Sequence, residues 1–114
     1  MRRRAVSTES IEVREVSPGR IALRGPLEYE TARHAHAQGL ELITAAGAPQ
    51  LEIDCAGVTR SDSAALAVLI DWMATARERQ LRLCVVNIPP DLRAIARISE
   101  VDELLERGVE CGCA

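Results

Sequence analysis

Phenylalanine is missing from this chain, and tryptophan and tyrosine occur once each, as Trp72 and Tyr29. Proteins that hold single-stranded nucleic acid stack bases on aromatic rings and follow the backbone with positive charge. Two aromatic residues and a formal net charge of −3 supply neither, so nucleic-acid binding has no support. Alanine and aliphatic side chains must fill the core instead; hydrophobic residues make up 47% of the chain, a globular share that excludes wholesale disorder. Long apolar runs are lacking too. The longest, Ala64 to Ile70, stops at Asp71 and falls far short of the ~20 residues that a membrane span requires. The opening MRRRAVSTES is basic but has no apolar h-region behind it, which speaks against a secretory signal. The expectation is a cytoplasmic chain without direct membrane insertion, its thiols Cys55, Cys84, Cys111 and Cys113 reduced.

What remains is ample for one domain. At 114 residues such a chain buries roughly 65% of the surface it exposes when unfolded, so neither a metal nor a disulfide is needed for it to stand. The expected partition is a lead-in over residues 1–9, one domain over 10–108 and a tail over 109–114.

The organising stretch runs from Leu51 to Arg79. Leu51 and Ile53 alternate with Glu52 and Asp54, the period-two pattern of a strand with one buried face. A polar loop over Cys55 to Ser61 is expected to follow, and then a helix with Leu66, Leu69, Ile70 and Met73 at i, i+3, i+4 and i+7. Asp62 and Ser63 fall where strand hands over to helix. Oxygen-bearing side chains there accept bonds from unpaired helical N–H groups, and the positive end of the helix favours an acidic group or a phosphate.

Around this centre the remaining elements fall into place. Ile11 and Val13 alternate with Glu12 and Arg14, Ser17-Pro18-Gly19 supplies a turn, and Ile21 and Leu23 face inward on a return strand. Gly25-Pro26 is expected to break that strand. A first helix follows, with Glu28 and Glu30 near its amino end and a stripe of Ala32, Ala35, Gly39, Leu40, Ile43 and Ala46. Gly39 lowers helix stability by about 1 kcal/mol relative to alanine, which suggests a close approach to the sheet. Leu81 to Val86 reads as a strand covered on both faces. Asn87 to Asp91 starts a third helix, with proline tolerated in its first turn, and Ser99 to Gly108 reads as a short fourth. The order β-β-α-β-α-β-α-α implies right-handed crossovers. The fold class is α/β, a small, mixed, mostly parallel sheet with an antiparallel N-terminal hairpin and about four helices.

Catalysis finds no constellation. Asp62 and Ser63 are neighbours at a helix start, which does not make a nucleophile and its base, and Gly57 is isolated rather than part of a phosphate loop. Asp54 and Asp62 read as ordinary solvated loop carboxylates. His34 and His36 point in different directions on a helix and cannot share a metal. Cys111-Gly-Cys113 has no second ligand pair near it, and Cys55 and Cys84 read as small core hydrophobes. No catalytic residue, metal or cofactor is expected. Ser63 is either a helix-end hydroxyl satisfying backbone N–H groups or a group to be recognised or modified; phosphate there would add about −1.5 to −2 charge. Trp72 is either core packing or a partner anchor, since tryptophan is enriched at interface hot spots. With Ala65 and Val68 it forms a second apolar stripe, which would suit docking if exposed.

Two passages carry a family resemblance. Gly25-Pro-Leu27-Glu28-Tyr-Glu-Thr31-Ala32 is similar to the G-x-L-D/E-x-x-T-A opening of the first helix in STAS domains, and Val58-Thr-Arg-Ser-Asp62-Ser63-Ala64-Ala65-Leu66 resembles their central V-x-x-x-D-S/T-x-G-L signature. The resemblance spans about Ile11 to Leu105. The text from Asp62 to Trp72, with Ala76 to Gln80 and Pro90 to Leu105, resembles the MlaB-type subunits of the Mla phospholipid transporter more than the anti-sigma-factor antagonists. Ala64 and Ala65 depart from the antagonists' usual Ser or Thr and Gly; the lost glycine removes backbone freedom beside the hydroxyl. The resemblance implies a STAS binding module, not an enzyme, docked on a cytosolic ABC transporter ATPase and peripheral at the inner membrane through that complex. Its contact would be made by Arg60, Ser61, Asp62, Ser63, Ala64, Ala65, Leu66 and Trp72. The antagonist branch implies instead an anti-sigma factor with serine-kinase activity as partner, and phosphorylation at Ser63.

Overall fold

Glu12–Ser17 (β1) and Arg20–Leu27 (β2) form an antiparallel hairpin, closed by a turn in which Gly19 takes φ +82°. The structure, a computed structural model, describes residues 10–99. After the hairpin come helix Tyr29–Thr44 (α1), strand Gln50–Ser61 (β3), helix Ser63–Glu78 (α2), strand Arg82–Val86 (β4) and helix Pro90–Ile98 (α3). The sheet order is β1-β2-β3-β4, with β2, β3 and β4 mutually parallel. This is the expected mixed α/β sheet with an antiparallel edge.

One face of the sheet presents Ile21, Leu23, Leu51, Ile53, Leu83 and Val85, all buried. Period two puts Arg20, Glu52 and Asp54 on the other face. The apolar face packs against Ala35 and Ile43 of α1, Ala65, Leu69 and Trp72 of α2, and Leu92 and Ala96 of α3 in one contiguous cluster. Each buried Leu, Ile or Val contributes about 1.5–3 kcal/mol, so aliphatic residues and one indole suffice.

Several expectations are corrected. The segment Cys55 to Ser61 is strand, not loop. Beyond Asp54, β3 has left β4 and pairs with β2 alone, through Arg24↔Gly57, Gly25↔Val58 and Leu27↔Ser61. A strand paired on one side tolerates the polar residues that made it look like a loop. Gly57 allows the approach: a Cβ there would lie 2.5 Å from the Leu23 carbonyl oxygen. Gly25-Pro26 likewise does not end β2. Gly25 takes φ +107° beside a register shift, so the strand bends and continues to Leu27.

The close approach of Gly39 is to Trp72 of α2 rather than to the sheet. The flank Ala65, Val68 and Trp72 is buried, whereas Ile70 and Met73 are only partly so. α3 begins at Pro90, with Pro89 before it; Asn87 ends β4 in the left-handed region at φ +57°. Three helices are described, and Ser99 closes the third by donating its N–H to the Ile95 carbonyl at 3.0 Å. The rest of the expected fourth helix lies outside the described residues, as do Cys111 and Cys113. Reduced thiols hold for buried Cys55 and not for Cys84, which is disulfide-bonded.

Candidate functional site: paired helix starts beside a groove

α1 follows β2 and α2 follows β3. Those strands are parallel, so both helices start at the same end of the sheet. At α2 the local reason is Asp62, whose extended backbone (φ −141°, ψ −167°) precedes the helix and whose Oδ1 accepts the Ala64 N–H at 2.9 Å. At α1, Thr31 organises the first turn. Its Oγ1 accepts the Glu28 N–H at 2.9 Å, and its hydroxyl donates to the Pro26 carbonyl at 2.8 Å. The Glu28 carboxylate turns to Arg60, whose Nε lies 3.2 Å away. The second oxygen of Asp62 accepts the Tyr29 N–H at 3.1 Å.

Farther along, the helices are joined three more times. Trp72 Nε1 donates to the His36 carbonyl at 3.2 Å, the His36 ring meets Asp71, and Arg79 donates to the Thr44 carbonyl at 3.2 Å. The acidic link at the amino ends and the basic one at the carboxyl ends suit the two macrodipoles.

Between the helices near their starts lies a groove of about 690 Å³. Ala32 and His36 line it from α1, and Ala64, Ala67 and Val68 from α2. Tyr29, 81% exposed, stands at its lip with Glu30 and Arg33. Small side chains on both walls leave the space open, and the surface they offer is apolar with a charged rim, the anatomy of a protein-binding patch.

Of the eight residues expected to make contact, five stand at the surface of this corner. Arg60 and Ser63 are exposed, and Ser61, Asp62 and Ala64 are half-buried. Ser63 is the first residue of α2. Ala65, Leu66 and Trp72 are in the core, Trp72 with no exposed surface; the expectation of a partner-facing indole gives way, because α1 approaches through Gly39 and covers the ring. The Ser61 Oγ is buried with no hydrogen-bond partner among the described residues.

The other chemistry-bearing groups are engaged elsewhere. Asp54 accepts from Arg20 at 2.8 Å, from Asn87 Nδ2 at 2.9 Å and from the Ala56 N–H at 2.9 Å. Burial pushes its carboxyl upward, but the bonds from Asn87, Ala56 and Arg20 more than offset this and hold it below the usual value. Burial, with the Asp54 charge added, pushes the Cys55 thiol up to about 12. Asp54 and Asp62 are thus committed to separate networks. No group of three or more His, Cys, Asp or Glu that could hold a metal occurs among the described residues, and no helix among them is long and apolar enough to cross a membrane.

Tyr29 and the groove went unnoticed in the sequence, although a signal was present. Tyr29, Ala32 and His36 fall at i, i+3 and i+7, and Ala64, Ala67 and Val68 at i, i+3 and i+4, each set on one helix face.

A family model described as Mlab, STAS domain, matches residues 11–106. The chain belongs to the STAS-domain family. Two solved structures share the STAS fold seen here. One is the anti-sigma factor antagonist SpoIIAA in its unphosphorylated form, with 15% identity, TM-score 0.65, and coverage of 82% of this chain and 83% of that chain. The other is the Bacillus cell fate determinant SpoIIAA in the phosphorylated form, with 15% identity, TM-score 0.62, and coverage of 82% and 86%. At this identity the likeness is one of fold. A comparison of the STAS domain with curated proteins finds no match.

Proposed function

We propose that this STAS domain is a non-enzymatic binding module that docks on, and supports, a cytosolic ABC ATPase of a phospholipid-transport (Mla-type) system. It would then sit peripherally at the inner membrane through that complex. The observation that carries the reading is the apolar groove of about 690 Å³ opening beside exposed Ser63 and Tyr29. A surface of small apolar side chains with an aromatic lip suits burial under a partner. The Mlab description of the matching family model supports an ATPase as that partner. Arg60, Ser61, Asp62, Ser63 and Ala64 form one margin of the contact, and Ala65, Leu66 and Trp72 shape it from beneath. Co-purification of the tagged chain from its native host tests this. An ABC ATPase should be recovered; an anti-sigma factor with kinase character and no ATPase would reject the reading.

A second reading is favoured by the Ser63 side chain alone, which is exposed at the first position of α2. There the chain is an anti-sigma-factor antagonist, phosphorylated at Ser63 by its partner. The fold shared with phosphorylated SpoIIAA supports it. Intact-mass measurement after incubation with host kinases, with Ser63→Ala as control, separates the two: a single phosphate on the wild type alone selects the antagonist.

A further inference from the structure

Asp62 spends its two carboxylate oxygens on two different helices. Oδ1 takes the Ala64 N–H of α2 at 2.9 Å, and Oδ2 takes the Tyr29 N–H of α1 at 3.1 Å. An ordinary helix cap needs only the first of these. The second reaches across to a helix that starts 33 residues earlier in the chain. Two positive helix ends side by side repel, and one negative group placed between them favours both.

The consequence falls on the groove. Its lip is Tyr29, the first residue of α1, and its opposite wall begins at Ala64. The middle and far portions of the two helices are held by Trp72 to His36, His36 to Asp71 and Arg79 to Thr44. At the near end Arg60 also pairs with Glu28, both side chains in contact with solvent, and such surface pairs contribute little.

We propose that Asp62 is a positioning residue for the docking face: its carboxylate registers the start of α1 against the start of α2 and so sets the mouth of the groove. The partner touches Tyr29 and the groove walls, and Asp62, at the margin of that contact, acts through them. The inference rests on the docking reading above, and the experiment has two independent arms.

Asp62→Ser separates the two bonds. Serine caps α2 as well as aspartate does, but its single short hydroxyl cannot also reach the Tyr29 N–H. In the NMR arm, on the full chain, Asp62→Ser shifts the resonances of Tyr29, Ala32 and His36 while Tm stays close to the wild type. In the binding arm, the ATPase recovered with the wild-type chain binds Asp62→Ser about tenfold more weakly, through lost preorganisation. Unmoved α1 resonances overturn the proposal, whatever the binding; weakened binding with α1 unmoved leaves Asp62 a contact residue alone, with no positioning role. Moved resonances with unweakened binding overturn it as well. If the wild type recovers no ATPase, the docking reading fails, and the NMR arm still decides whether Asp62 registers the two helices.

Discussion

Gly39 and Trp72 meet where no side chain fits: a Cβ on residue 39 would stand 2.2 Å from both Cε2 and Cζ2 of the indole. Backbone against ring is what lets α1 lie over a fully buried tryptophan and accept the Nε1–H bond at its His36 carbonyl. Gly39→Ala would gain about 1 kcal/mol of helix propensity. Against that stands the displacement of a ring with no free space, and overpacking of a filled core costs about 1–3 kcal/mol. The net expectation is destabilisation by up to about 2 kcal/mol, read as a lower urea midpoint. A rise in the midpoint would mean that the helices separate freely.

Acid should act through Asp54. Its folded-state pKa lies below the ordinary value, so the unfolded chain takes up the proton first as pH falls. The stability it contributes is present above about pH 4, the unfolded value, and is lost as pH falls through the folded value. Thermal unfolding of wild type and Asp54→Asn from pH 7 to pH 3 checks this, with pH values chosen to bracket the range of about 4. The wild type should be more stable at neutral pH, and the gap should close in acid. A gap independent of pH would show that the bonds to Arg20 and Asn87 do not depend on the charge.

Alkali should act through Cys55, in the opposite sense. The buried thiol titrates at about 12, whereas an unfolded one does so near 8.5. The associated stability is complete below about pH 8.5 and declines as pH rises toward the folded value. Only thiolate is nucleophilic, so native Cys55 should resist iodoacetamide at pH 8 and react fully in denaturant, as mapped by peptide mass. Rapid labelling of native protein at Cys55 would show that the strand opens.

How much of this was legible beforehand follows from which signals are local. Alternation in Glu12–Ser17 and in Leu51 to Asp54, and the 3.6-residue periodicity after Ser63, depend on neighbours in the chain, and they located the hairpin, the central strand and α2. The length of β3 was hidden because its polar residues Thr59, Arg60 and Ser61 are tolerated only where β4 has ended. That is a property of the sheet, invisible in one strand's composition. Trp72 was ambiguous for a related reason: its burial is decided by Gly39, 33 positions away on another helix. The junction of Asp62 and Ser63 was legible as a cap, whereas the second bond of Asp62, to Tyr29, joins parts of the chain that no spacing rule connects.

The unpartnered hydroxyl of Ser61 makes the sharpest local prediction. Its Oγ is buried, with no hydrogen bond among the described residues, at the last residue of β3 beside the two helix starts. A buried polar group without a partner forfeits its hydration, at about 1–3 kcal/mol. Ser61→Ala removes the group and keeps the Cβ, so it should stabilise the fold by about 1 kcal/mol and raise Tm by roughly 4 °C. Ser61→Val, which adds bulk where the strand meets Leu27, should lower Tm instead by overpacking. Most point changes destabilise, so a gain from removing one oxygen would be specific to the orphaned group. A loss of about 1 kcal/mol or more in Ser61→Ala, the typical net worth of a hydrogen bond that is made, would show that the hydroxyl has a partner in solution. The junction would then be held by a bond additional to those of Asp62.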